Sequence, residues 1–161
     1  MRTIQPEGWP RPRGYSNGVV CEPGGRLLFV AGQIGWDEHE RLAPGGLVAQ
    51  FEQALANVAA VVFAGGGAPE HIARLTIYVT DKRAYRAAAR ELGEAYRRVL
   101  GPHYPAMALV QVADLLEDGA LVELEATAVL PAPGAGGLTL GGGGGGGGRG
   151  GASGDGGRGA R

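Results

Sequence analysis

The sequence has a single cysteine, Cys21, and a single lysine, Lys82, in 161 residues. One cysteine excludes an intramolecular disulfide and cannot complete a thiolate zinc site. Cys21 precedes a Pro-Gly turn and has no neighbouring base in the sequence, so it lacks the partner that activates a thiol nucleophile. His39, His71 and His103 do not have metal-ligand spacing, and no metal is expected. Gly65-Gly66-Gly67 is not followed by Lys and Ser or Thr, so a phosphate-binding loop is excluded and no cofactor is expected. The Pro- and Arg-rich start, Met1 to Gly14, lacks the apolar core of a signal peptide. No stretch approaches the ~20 consecutive apolar residues of a membrane span. These absences lead to the expectation of a soluble, cytoplasmic protein with no membrane partner.

Glycine is abundant but unevenly spread, with 17 of the 32 glycines after Pro131. A run such as Gly141–Gly148 buries no apolar surface and loses the most entropy on ordering, so residues 132–161 are expected to form a disordered tail. In that tail Arg149, Arg158 and Arg161 against Asp155 give +2, so a net charge of −1 for the chain leaves −3 for the remainder. An acidic domain is a poor phosphate binder, because nucleic-acid binding rests on clustered cations. The Arg-Gly fragments of the tail read as a solubilising extension.

The remaining ~130 residues suit one domain, with residues 1–13 as an N-terminal extension and 14–131 as the folded part. Leu27-Leu28-Phe29-Val30-Ala31 reads as a buried strand. Tyr15 to Val20 is expected to pair with it through the turn Glu22-Pro23-Gly24-Gly25. Leu47, Phe51, Leu55, Val58 and Val62 then recur at helical spacing, and Gly65-Gly66-Gly67 ends that helix. Leu75, Ile77 and Val79 alternate with Thr76, Tyr78 and Thr80 as a half-buried strand. Asp81 is placed to cap a second helix with an apolar stripe of Tyr85, Ala88, Leu92, Tyr96 and Val99, stopped by Gly101-Pro102. Strands follow over Ala106–Val112 and Leu121–Leu130. The last strand has Val122, Leu124, Ala126, Ala128 and Leu130 on one face. Its mixed face, with Glu123 and Glu125, needs water or another subunit. The whole is an α+β arrangement, a mixed sheet covered on one face by two helices.

Six segments stand out together: Gly14-Tyr15-Ser16-Asn17-Gly18, Phe29 to Ile34, Phe51 to Val58, Tyr78-Val79-Thr80-Asp81, Tyr104-Pro105-Ala106-Met107 and Val122-Glu123-Leu124-Glu125-Ala126. In this order and spacing the chain resembles the RidA/YjgF family of enamine/imine deaminases over about residues 14–130. The resemblance implies a chorismate-mutase-like fold and a homotrimer with clefts between neighbouring subunits. It also implies that a Glu matching Glu123 places the hydrolytic water, while Tyr15 and the positions of Ala31 and Gly32 line the cleft. Residues His103 to Met107 would form a cleft wall.

Two positions depart from the family pattern. Met107 stands where the family's active deaminases carry an Arg that grips the substrate carboxylate, and Ala31 stands where they carry Ser. A thioether offers neither charge nor donor, and losing a charge-assisted contact at a buried site costs on the order of 2–5 kcal/mol. The usual reaction on small 2-imino acids is therefore not expected to carry over intact. Arg90 and Arg98 are candidates to restore a cation from the second helix, and His103 is adjacent to the site segment. Glu125 shares the face of Glu123 at ~6–7 Å, but nothing else points to paired-carboxylate chemistry. The leading expectation is a trimer that hydrolyses a small reactive enamine or imine with altered substrate choice. The alternative is a non-catalytic trimer that binds a small ligand, and RNA binding is disfavoured by the charge.

Overall fold

The alternation in the last strand sets the frame of the molecule. In the computed structural model, which describes residues 1–132, the chain forms β1 (Arg2–Ile4), β2 (Gly18–Val20), β3 (Arg26–Ile34) and α1 (Leu47–Ala64). A 3-10 turn at Pro69–His71 leads into β4 (Ile72–Val79), followed by α2 (Lys82–Ala87), α3 (Ala89–Leu100), β5 (Ala106–Gln111) and β6 (Val122–Leu130). The glycine-rich tail, apart from Ala132, lies outside the described residues.

The main sheet has the order β3-β6-β4-β5, with β4 and β5 parallel and the other pairs antiparallel. Val122, Leu124, Ala126, Ala128 and Leu130 are buried against the helices, as the two-residue period demands. Leu75, Ile77 and Val79 of β4 join them, together with Phe51, Leu55, Val58 and Val62 of α1. Each fully buried large side chain of this set contributes about 1.5–3 kcal/mol. By length and composition α1 could cross a membrane, but its apolar stripe packs on the sheet and its polar residues bond to neighbouring loops, the habit of a core helix. It ends at Ala64, and just beyond it Gly66 takes φ 86° while the Gly67 N–H bonds back to Val62 O.

Four details differ from the sequence expectation, the first being that the run Leu27–Ala31, read as a buried strand, exposes Leu27 and Phe29 on the face away from the helices. β2 pairs with β1, register Arg2↔Val20, and not with β3. Residues 1–13 therefore include a paired strand. β3 runs on through Gly32-Gln33-Ile34 with a register shift between Val30 and Gln33. The second helix, capped by Asp81 accepting from Arg83 N and Ala84 N, breaks at Ala88 (φ −92°, ψ 16°) into α2 and α3.

The sheet face away from the helices is uncovered in the single chain. Leu27 is 63% and Phe29 74% exposed there, beside the half-buried Glu123, Glu125 and Thr127 of β6.

Candidate functional site

The register shift in β3 is a bulge at Ala31-Gly32, both exposed, opposite the start of β6. There the Glu123 side chain lies directly on Gly32, where a Cβ would collide with Glu123 Oε1. Gln50 of α1, buried at 5% exposure, sets the start of β6: its Nε2 donates to Gly119 O (3.0 Å), and its Oε1 accepts from Leu121 N (2.8 Å). Asn57 fixes the other side of the bulge, donating to Ile34 O (3.1 Å) and Trp36 O (2.9 Å). Two polar residues of one helix thus hold both strands that carry the Gly32–Glu123 contact. Glu125 is occupied differently, accepting from the Tyr78 hydroxyl at 3.1 Å. Partial desolvation, then that bond, hold the Tyr78 phenol above its ordinary pKa, so it stays a donor.

Met107 lies on the other face. It is level with Leu75 in the parallel β4–β5 register and packs against the core. Tyr15 reaches the same place because Ser16 is pinned to β5: its N–H donates to Pro105 O (2.9 Å), its hydroxyl to Tyr104 O (2.6 Å), and Ser16 bridges Ala106. Tyr15, Met107, Ile77 and Tyr85 line one cavity of about 280 Å³, and Met107, Ile77 and Tyr85 continue into a second of about 320 Å³ walled by Phe51 and Tyr104. Burial raises the Tyr85 pKa and keeps that phenol protonated.

Glu123 and Gly32 are therefore brought together, and so are Tyr15 and Met107, but the sheet stands between the two pairs. Other candidates move away from the site. His103 points to the opposite end, its Nε2 donating to Ile72 O at 2.7 Å, and it lines a groove with His71 instead of the Met107 cavity. His71 is half-buried, and its Nδ1 accepts from Ala68 N (2.9 Å). Arg90 pairs with Glu91 and Glu94, and Arg98 holds Glu52 through two bonds of 2.7 and 2.8 Å, so neither is a free cation. The cations that do line the Met107 cavities are Arg13 and Arg97. Sequence reasoning missed them because Arg13 sits in the stretch read as an extension and Arg97 has no local signal.

Known proteins share both this architecture and its sequence. A family model described as Endoribonuclease L-PSP matches residues 10–130. A RutC family protein, UK114, of Drosophila melanogaster is 34% identical over 116 residues, 71% of this chain and 78% of that protein. A goat (Capra hircus) 2-iminobutanoate/2-iminopropanoate deaminase is 32% identical over 116 residues, 71% of this chain and 79% of that protein. The crystal structure of YyfB, a Rid-family protein of unknown function from Yersinia pestis, superposes with a TM-score of 0.70 at 33% identity, covering 80% of this chain and 98% of that one. The chain belongs to the RidA/YjgF family.

Proposed function

We infer that this chain is a RidA-like deaminase, assembled as a homotrimer, that hydrolyses a small reactive enamine or imine in clefts between subunits. The observation that carries the reading is the split across the sheet. Tyr15 and Met107 form one half-site, and Ala31, Gly32 and Glu123 form the other on the opposite face. A neighbouring copy, seated on the uncovered face around Leu27 and Phe29, would bring the halves together and remove that apolar surface from water.

In such a cleft Glu123 orients a water and accepts its proton as oxygen adds to the C=N carbon. The carbinolamine then collapses to a carbonyl compound and ammonia. Backbone N–H groups near Gly32 assist the addition. Met107 offers no charge, so a substrate with its carboxylate at the family's usual place is disfavoured. The test is ammonia release from 2-iminopropanoate generated in situ. Slow turnover that Met107→Arg raises about tenfold or more supports the altered preference, and parental rates equal to those of Arg-bearing relatives would contradict it.

A second reading, a non-catalytic binder, is favoured by the apolar floor that Met107, Ile77 and Phe51 give the cavity. Glu123→Ala separates the two readings: an enzyme loses turnover, and a binder keeps its ligand affinity. RNA cleavage, suggested by the family description, is not favoured by a domain that carries about −3 outside its tail.

A further inference from the structure

The Met107 cavities share the wall formed by Arg13, Gly14, Ile77, Tyr85 and Met107, so they are two lobes of one cleft. With about 320 and 280 Å³, they offer more room than a three-carbon imine fills and reach the usual size of small-ligand pockets. The floor is apolar and aromatic. The rim carries two cations, Arg13 and Arg97, and neither lobe is lined by Asp or Glu.

Both arginines are exposed, and among the described residues neither takes part in an ion pair or side-chain hydrogen bond. Arg90 and Arg98, on the same helix as Arg97, are neutralised by glutamates, which makes the contrast local. Arg97 lies close over Gly93, inside α3. A glycine there costs about 1 kcal/mol relative to Ala. A Cβ at this position would come within 3.7 Å of Arg97 Nη1, so the guanidinium folds back over the helix at the cleft rim. Gly14, with φ 77°, turns the chain so that Arg13 and Tyr15 flank the other side.

We propose that Arg13 and Arg97 form an anion-holding rim above the Met107 floor, and that the cleft takes an amphiphilic carboxylate with a ring-sized apolar body. The body lies on Met107, Ile77 and Tyr85, and the carboxylate meets the guanidinium groups at the rim. The charge absent at position 107 is thus supplied from outside the strand, farther from the floor, which selects a longer ligand. Planar guanidinium suits this work because it binds a carboxylate through two parallel bonds. The inference rests on the reading of the Met107 cleft as the substrate-binding half of the site, and it concerns binding alone.

Calorimetric titration of the full chain with hydrocinnamate and with the uncharged hydrocinnamamide tests it without turnover. The acid should bind at least about tenfold more tightly than the amide, and Arg13→Gln and Arg97→Gln should each remove most of that preference while leaving the melting temperature unchanged. Raised salt should weaken the acid and not the amide. Equal affinity for acid and amide, no binding of either, or full acid preference in both Gln variants would overturn the proposal. Glu123→Gln separates this inference from the deaminase reading: acid binding should survive there. Acid binding with no ammonia release from any imine would sink the deaminase and leave the anion rim standing.

Discussion

The carboxylate of Glu123 rests on the backbone of Gly32, in space that any side chain at position 32 would occupy. The colliding atom is the far end of a flexible side chain, whereas at Gly35 a Cβ would meet the backbone of Gln50 in α1. The two glycines of one strand end thus have separable roles.

Gly32→Ala should fold normally, with a melting temperature within a few degrees of the parent, but should displace the Glu123 carboxylate and lower turnover about tenfold or more. Gly35→Ala should instead destabilise the protein by about 1–3 kcal/mol, because the strand and helix must move apart. Thermal melts beside rate measurements check both. An active Gly32→Ala enzyme would remove Glu123 from the mechanism.

The uncovered sheet face predicts self-association. Phe29→Glu places a charge among Leu27 and the β6 carboxylates, so it should shift the protein to monomers in sedimentation equilibrium, with activity lost in parallel. A parental protein that sediments as a monomer, or an active monomeric variant, would contradict the shared cleft.

Glu52 on α1 and Arg98 on α3 form a two-bond ion pair that ties the helices together. The Arg98 hydrogen bond, chiefly, holds the Glu52 carboxyl below its ordinary pKa. A depressed folded-state pKa adds stability above the unfolded value, and that stability is lost as pH falls through the folded value. Glu52→Gln should therefore melt below the parent at neutral pH, and the gap should close below about pH 4. Because both groups are partly exposed, salt should narrow it as well. Melting curves across pH check this, and a gap that widens in acid would refute the assignment.

Much of the fold was legible because long elements repeat their signal. The alternation of Leu75, Ile77 and Val79 and of Val122 to Leu130 fixed two strands and their buried faces, and the stripe from Leu47 to Val62 fixed α1. β1 escaped and β2 was given the wrong partner because three-residue strands hold too few positions for a period, so their pairing is set by tertiary contact. The break at Ala88 carries no Gly or Pro to announce it. The site was half legible. Family motifs pointed to Tyr15, Ala31, Gly32, Met107 and Glu123, but opposite faces for Met107 and Glu123 follow from strand register, which no local pattern records. Arg13 and Arg97 reach one cleft across 84 positions of sequence, and only the fold joins them.

The most direct measurement of the split site is subunit complementation. Glu123→Ala breaks one half, and Met107→Trp fills the other. Each variant alone should be inactive. In a ring of three with head-to-tail contacts, every mixed trimer keeps one intact cleft, so co-refolded variants should recover up to about one third of parental activity. Recovery near that level is the result that a cleft built from two copies predicts. Mixed trimers as inactive as either variant alone would place both residues in one chain's site and contradict it.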